Sequence, residues 1–246
     1  MEYILANPTG NITALVTDEV AQEERLSVVK EIFETEPSCE QVGFVDIAGE
    51  KRIRLEMMGG EFCGNATLSS AAYLAKANHL FDADNPEEIV VTVDSSGAEQ
   101  PVETRIRQLA GNLYEGTLEM PMPSLDGRVV HLDGISHMIV PSDTMTHEEA
   151  EATIKGCAEK YDALAFGMVL YSEEADSDAV SIEPLVYVKG SDTMVWEHGC
   201  ASGSIAAAYY RHSITDAAKI SVHQPGGIIT IDITEDKLYL TGKIEF

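Results

Sequence analysis

Residues 59–73 read GGEFCGNATLSSAAY, a thiol set between glycines and the head of a small-residue, apolar run. A cysteine is usually a small core residue. At the first turn of a helix its surroundings change, because unpaired N–H groups and the helix dipole favour a thiolate. Residues 196–210, WEHGCASGSIAAAYY, repeat the pattern in the other half of the chain. Aligned on the cysteines, Thr67 meets Ser204, Leu68 meets Ile205, Ala71 meets Ala208 and Tyr73 meets Tyr210. Downstream, VTVDSSGA (91–98) lies beside ISVHQPGG (220–227). Two related halves, each opening a buried helix with a cysteine, predict two similar domains and two equivalent thiols.

The rest of the pattern is consistent with an α/β (α+β) chain of many short strands and few helices. Alternation predicts strands at 3–6, 12–16, 42–47, 52–57, 89–94, 102–106 and 114–119, and helices at 20–33 and 64–77. The stretch MPMPSLDG, 120–127, is the expected domain junction. Beyond it, strands are predicted at 128–132, 138–140, 166–171, 182–188, 193–196, 219–222, 227–233 and 238–246, with helices at 147–160 and 201–211. The expected domains are therefore residues 1–119 with Cys63 and 120–237 with Cys200, the last strand, about 238–246, packing back on the first.

Composition narrows the function. The 246 residues carry 42 acidic and 16 basic side chains, a net charge of −26. Such a surface repels phosphate backbones and anionic membranes, so neither nucleic acid nor membrane is an expected partner. No apolar run approaches the ~18 residues of a membrane span, and the N-terminal MEYILANPTGN does not read as a signal peptide, so a cytoplasmic location is expected. The four cysteines, at 39, 63, 157 and 200, form no CxxC or CxxH pair, and no metal site is expected. Phosphate-cradling GxxxxGK[ST] and dinucleotide-binding GxGxxG motifs are absent as well.

Taken singly, either Cys63 or Cys200 reads equally well as a packed helix-start residue. Taken together they suit one reaction. If both helix starts face one cleft, their N–H groups can receive a carboxylate. One thiolate can then remove a proton from the adjacent carbon while the other thiol returns one on the opposite face.

These residues resemble the cofactor-independent amino-acid racemases and epimerases of the diaminopimelate epimerase-like family. The likeness runs through NPTGNITALV (7–16), CEQVGFV (39–45), GGEFCGNAT (59–67), WEHGCASGS (196–204) and VHQPGG (222–227). It implies two pseudo-symmetric domains, each with a mostly antiparallel, barrel-like sheet around a central helix, and an active site between them. It implies Cys63 and Cys200 as the catalytic thiols and Asn11, Gln41, Gly64, Asn65, His137, Glu197, Ser202 and Gly203 as substrate-binding residues. It implies no cofactor, a small amino acid as the substrate, and a homodimer. Within the family the likeness is to members that act on histidine. The chain departs from the diaminopimelate-specific pattern where Glu197-His198 stands for a Glu-Arg pair and Ile135 for an asparagine. A distal carboxylate would then be buried without its cation.

Overall fold

In the computed structural model, residues 1–81, 87–174, 178–190 and 192–246 are described. They form two compact units, Met1–Glu119 with Thr241–Phe246, and Met120–Leu240. Among the described residues no helix is long and apolar enough to cross a membrane.

The first unit contains β1 (Tyr3–Pro8), β2 (Thr13–Val16), α1 (Arg25–Thr35), β3 (Gln41–Gly49), β4 (Arg52–Met57), α2 (Gly64–Ala77), β5 (Ile89–Ser95), β6 (Val102–Ala110) and β7 (Leu113–Met120). Its ring is closed by the end of β16 (Leu238–Glu245), which pairs with β1 through Asn7↔Glu245 and Pro8↔Ile244. Adjacent strands are antiparallel where a tight turn joins them, as in β1–β2 and β3–β4. They are parallel where a helix makes the crossover, as in β2–α1–β3 and β4–α2–β5.

Helix α2 sits inside this ring because its side chains are small enough for strands to approach on every side. Ala66, Leu68, Ala71, Ala72 and Leu74 are buried. Burying each leucine contributes about 1.5–3 kcal/mol. Its serines do not arrive in the core unpaired: Ser69 and Ser70 donate to the carbonyls of Asn65 and Ala66, at 2.9 and 2.8 Å. The fit is close enough that a Cβ at Gly116 would stand 2.7 Å from Leu68 Cδ2.

Helix α1 lies against β2 and β3 through Val29 and Ile32, which meet Ala14, Val16, Val42 and Phe44. It begins later than the expected residue 20. Residues 22–24 form turns, with the Glu24 N–H bonded to Ala21 O. Leu26, in the first turn of α1, is 67% exposed.

The second unit repeats the order: β8 (Ser124–Asp126), β9 (Val129–Leu132), β10 (Ile135–Pro141), α3 (His147–Ala158), β11 (Ala165–Glu173), β12 (Ala179–Val188), β13 (Thr193–Trp196), α4 (Ala201–Thr215), β14 (Lys219–Gln224), β15 (Gly227–Ile233) and the start of β16. Here too the pairs are antiparallel except β10–α3–β11 and β12–α4–β14, the two helical crossovers. The series β1–β5 with α1 and α2 thus has its counterpart in β9–β12 and β14 with α3 and α4, and β13 is an insertion before the second cysteine. Helix α3 packs on the sheet through Ala150, Ile154 and Cys157 against Phe166, Met168 and Leu185. Cys157 is accordingly a core residue, as its helical spacing suggests.

Candidate active site

Cys63 and Cys200 take the same place in their respective units. Each is the N-cap of the central helix, with extended backbone (φ −129°, ψ 113° and φ −111°, ψ 109°). Each sulfur accepts from the N–H three residues on: Ala66 to Cys63 Sγ at 3.4 Å, Gly203 to Cys200 Sγ at 3.2 Å. Each cysteine carbonyl is held by the hydroxyl that the repeat aligns, from Thr67 at 2.8 Å and Ser204 at 2.7 Å. An N-cap sulfur satisfies a helix-start donor, as an oxygen does in most caps. The N–H groups of the residues between, Gly64-Asn65 and Ala201-Ser202, lie ahead of the intrahelical ladder and suit an anion.

In the first unit, the Cys63 thiol donates to Gln41 Oε1 at 2.9 Å. Asn11 is 1% exposed and links two partners: its Nδ2 donates to Glu40 Oε2 at 2.7 Å, and its Oδ1 accepts from Asn65 Nδ2 at 3.3 Å. The β1–β2 loop presents Asn11. Thr9 and Gly10 both hold positive φ, 56° and 91°, and Asn7 Oδ1 accepts the Gly10 N–H at 2.7 Å. A β-branched residue rarely adopts that region, so Thr9 carries strain beside a polar cluster. The structure brings Gln41, Asn11, Gly64 and Asn65 together around Cys63. Glu40 joins them through its bond to Asn11.

In the second unit, the Cys200 thiol is 3% exposed and lies 3.5 Å from Ser202 Oγ. Ser202 Oγ is 2.9 Å from His137 Nε2. His137 has no exposed surface, and burial alone lowers its pKa to about 3, so the imidazole is neutral. Its ring lies close to Gly167, where a Cβ would come within 2.0 Å of Nδ1. Burial, reinforced by the charge of Glu197 and a hydrogen bond to its carboxylate, pushes the Cys200 thiol well up; Ser202 and the Gly203 N–H pull the other way and lose. This corrects the expectation that a helix start lowers the pKa of both thiols, because one N–H cannot offset desolvation beside a carboxylate. At neutral pH Cys200 is a protonated thiol. Glu197, Ser202, Gly203 and His137 are the residues around it.

Sequence reasoning missed Gln224. The stretch QPGG reads as a turn, yet the Gln224 side chain is buried and its Oε1 accepts the Cys200 N–H at 2.8 Å. The repeat held the signal. It aligns Ser95 with Gln224 and Thr67 with Ser204, and both pairs are hydrogen-bonded, Thr67 to Ser95 at 3.3 Å and Gln224 to Ser204 at 3.2 Å. His223 instead pairs with Glu174 at 2.8 Å, and Trp196 packs on His147 with its Nε1 on Glu151. A cavity of about 1170 Å³ in the first unit, lined by Thr17, Arg25, Phe44 and Glu56 among others, contains none of the site residues. Among the described residues, no three histidine, cysteine or carboxylate side chains are grouped to hold a metal.

Solved structures place this arrangement in a known fold. A phenazine biosynthesis protein of the PhzF family from Bacillus anthracis superposes with a TM-score of 0.67 at 12% identity, covering 99% of this chain and 95% of its own. A hydroxyproline epimerase from Agrobacterium vitis gives 0.64 at 11% identity, with 99% and 88% covered. The fold is the diaminopimelate epimerase-like one. Sequence comparison is narrower. The family model described as the histidine racemase CntK N-terminal domain matches residues 1–244, and the chain belongs to that family. A histidine racemase of Fusobacterium nucleatum subsp. nucleatum is 31% identical over 260 residues, covering 100% of this chain and 94% of the relative. A histidine racemase of Staphylococcus aureus is 28% identical over 251 residues, covering 94% and 88%.

Proposed function

We propose that the protein interconverts L- and D-histidine, with Cys63 and Cys200 as the two acid–base groups. The observation that carries this is the equivalence of the two thiols, each the N-cap of a buried central helix with its sulfur over the N–H three residues on. In one direction a thiolate takes the Cα proton and leaves a carbanion conjugated with the carboxylate. The other cysteine, as thiol, donates its proton to the opposite face, and the inverted amino acid leaves. The roles exchange in the reverse direction, and the net reaction moves one proton off and one on. Charge builds on the substrate carboxylate in the transition state. First-turn N–H groups at Gly64, Asn65, Ala201 and Ser202 are the donors suited to meet it.

The buried, protonated state of Cys200 suits the donor role on the first turnover. Glu197, hydrogen-bonded to that thiol, is the group able to take its proton when Cys200 must act as base. Histidine is favoured over other amino acids by the family and the named relatives. Replacement of the distal cation by His198 argues against a second carboxylate on the substrate.

The test is incubation of the reduced protein with L-histidine in D₂O without added cofactor. Loss of the Cα–H signal by NMR is followed alongside D-histidine by chiral chromatography. Deuterium at Cα with D-histidine supports the reading. If histidine is silent and another amino acid in the panel exchanges, the substrate assignment falls. Silence across the panel leaves a binding protein as the better reading.

A further inference from the structure

We infer that Gln224 is a positioning residue for Cys200, holding the head of α4 by both peptide groups of the N-cap. Its amide makes two bonds in opposite senses. Oε1 accepts the Cys200 N–H at 2.8 Å, and Nε2 donates to Ser204 Oγ at 3.2 Å. Ser204 in turn donates to the Cys200 carbonyl at 2.7 Å. The cysteine backbone is therefore closed in a ring through one side-chain amide. Gln224 is 8% exposed and Ser204 fully buried, so solvent does not readily replace either partner.

The same turn is fastened a second time. Gly226 N–H donates to His198 O at 2.8 Å, two residues ahead of the cysteine. The first unit has the matching fastening, Ser96 Oγ to Glu61 O at 2.9 Å, again two residues ahead of its cysteine. What it lacks is a long amide at the Gln224 position. Ser95 occupies it and meets Thr67, and Cys63 is restrained at its sulfur by Gln41 instead. Gln224 thus meets the Cys200 main chain, where the glutamine of the first unit, Gln41, meets the Cys63 sulfur.

A sulfur that must reach a substrate carbon tolerates little displacement, since a misplacement near 1 Å can cost about 100-fold. The inference rests on Cys200 acting as a base, so its test includes a measurement independent of turnover. Gln224→Met, Ser204→Ala and the double variant are compared for kcat, KM, urea midpoint and site-resolved alkylation by iodoacetamide. Gln224→Met is expected to lower kcat about tenfold or more with KM within about twofold. It is expected to speed alkylation of Cys200 about tenfold, because access limits a buried thiol, while Cys63 keeps its wild-type rate. The double variant should be no worse than Gln224→Met alone, since both substitutions open one ring. Unchanged Cys200 alkylation, additive losses, or Cys63 and Cys200 accelerating together with the loss of stability would each overturn the inference. Full racemisation by Cys200→Ser would sink the two-base reading instead, leaving the alkylation result to speak for Gln224.

Discussion

Gly167→Ala is a one-carbon change aimed at the support beneath Cys200. Gly167 lies directly opposite His137 in the parallel β10–β11 pair. An alanine Cβ would stand 2.0 Å from Nδ1, 2.5 Å from Cε1 and 3.1 Å from Cγ of that ring. Non-bonded contacts settle near ~3.5 Å, so the imidazole would have to retreat by about 1.5 Å. A fully buried ring has no open space for that retreat, and its 2.9 Å bond to Ser202 survives only if Ser202 moves as well. Overpacking costs about 1–3 kcal/mol and an orphaned buried hydrogen-bonding group about 1–3 kcal/mol more, so ~4 kcal/mol is the central expectation. For a chain of this length that lowers Tm by about 8–16 °C. The assay is calorimetry of Gly167→Ala, His137→Ala and the double variant. In the His137→Ala background the ring is gone and the new methyl fills part of its space, so Gly167→Ala should become neutral or stabilising. An equal cost in both backgrounds would refute the steric account.

Cys63→Ser and Cys200→Ser should each lower racemisation by at least about 10²–10⁴-fold, the range of a lost acid–base group, measured by chiral chromatography; full activity in either would remove the mechanism. His137 holds its pKa near 3 when folded, below its ordinary 6.5, so the unfolded chain takes up a proton that the native state refuses. Stability from this group is present above pH ~6.5 and drains as pH falls towards 3, and His137→Asn should flatten the urea midpoint most visibly between about pH 6.5 and 4.5; parallel curves for the two proteins would count against burial of a neutral imidazole. At the start of α3, Thr146 and Glu149 form a reciprocal capping box, and Thr146→Ala should cost about 1 kcal/mol in urea denaturation with racemisation unchanged.

What the sequence made legible was whatever repeats or lies within a few residues. The two cysteine-led helices begin at Gly64 and Ala201, as small-residue spacing after each thiol suggests. Asn11, Gln41 and Asn65, on a hairpin loop, a strand start and a helix start, were implied by the family resemblance, and their segments meet around Cys63. Less was legible where a contact bridges distant segments. Gly167 reads as an unremarked strand glycine until His137 is seen above it. The helix expected from residue 20 begins only at Arg25, because residues 22–24 form turns, although Val20 still packs against the cluster that Val29 and Ile32 fill.

The pKa of Cys200 turns on the same distinction between local and assembled causes. A helix start is visible in sequence and argues for a thiolate. Burial and the approach of the Glu197 carboxylate arise only once β13, α4 and the strands around them have packed, and they win. The two halves therefore share a backbone arrangement around the cysteine but not its electrostatic surroundings. Cys63 is partly exposed and paired with a neutral amide; Cys200 is buried and paired with a carboxylate. A reaction that needs a base on one face and an acid on the other gains from that difference. Two identical thiols would have to break their symmetry anew at each binding event. Here the surroundings of Cys200 set its resting proton in advance.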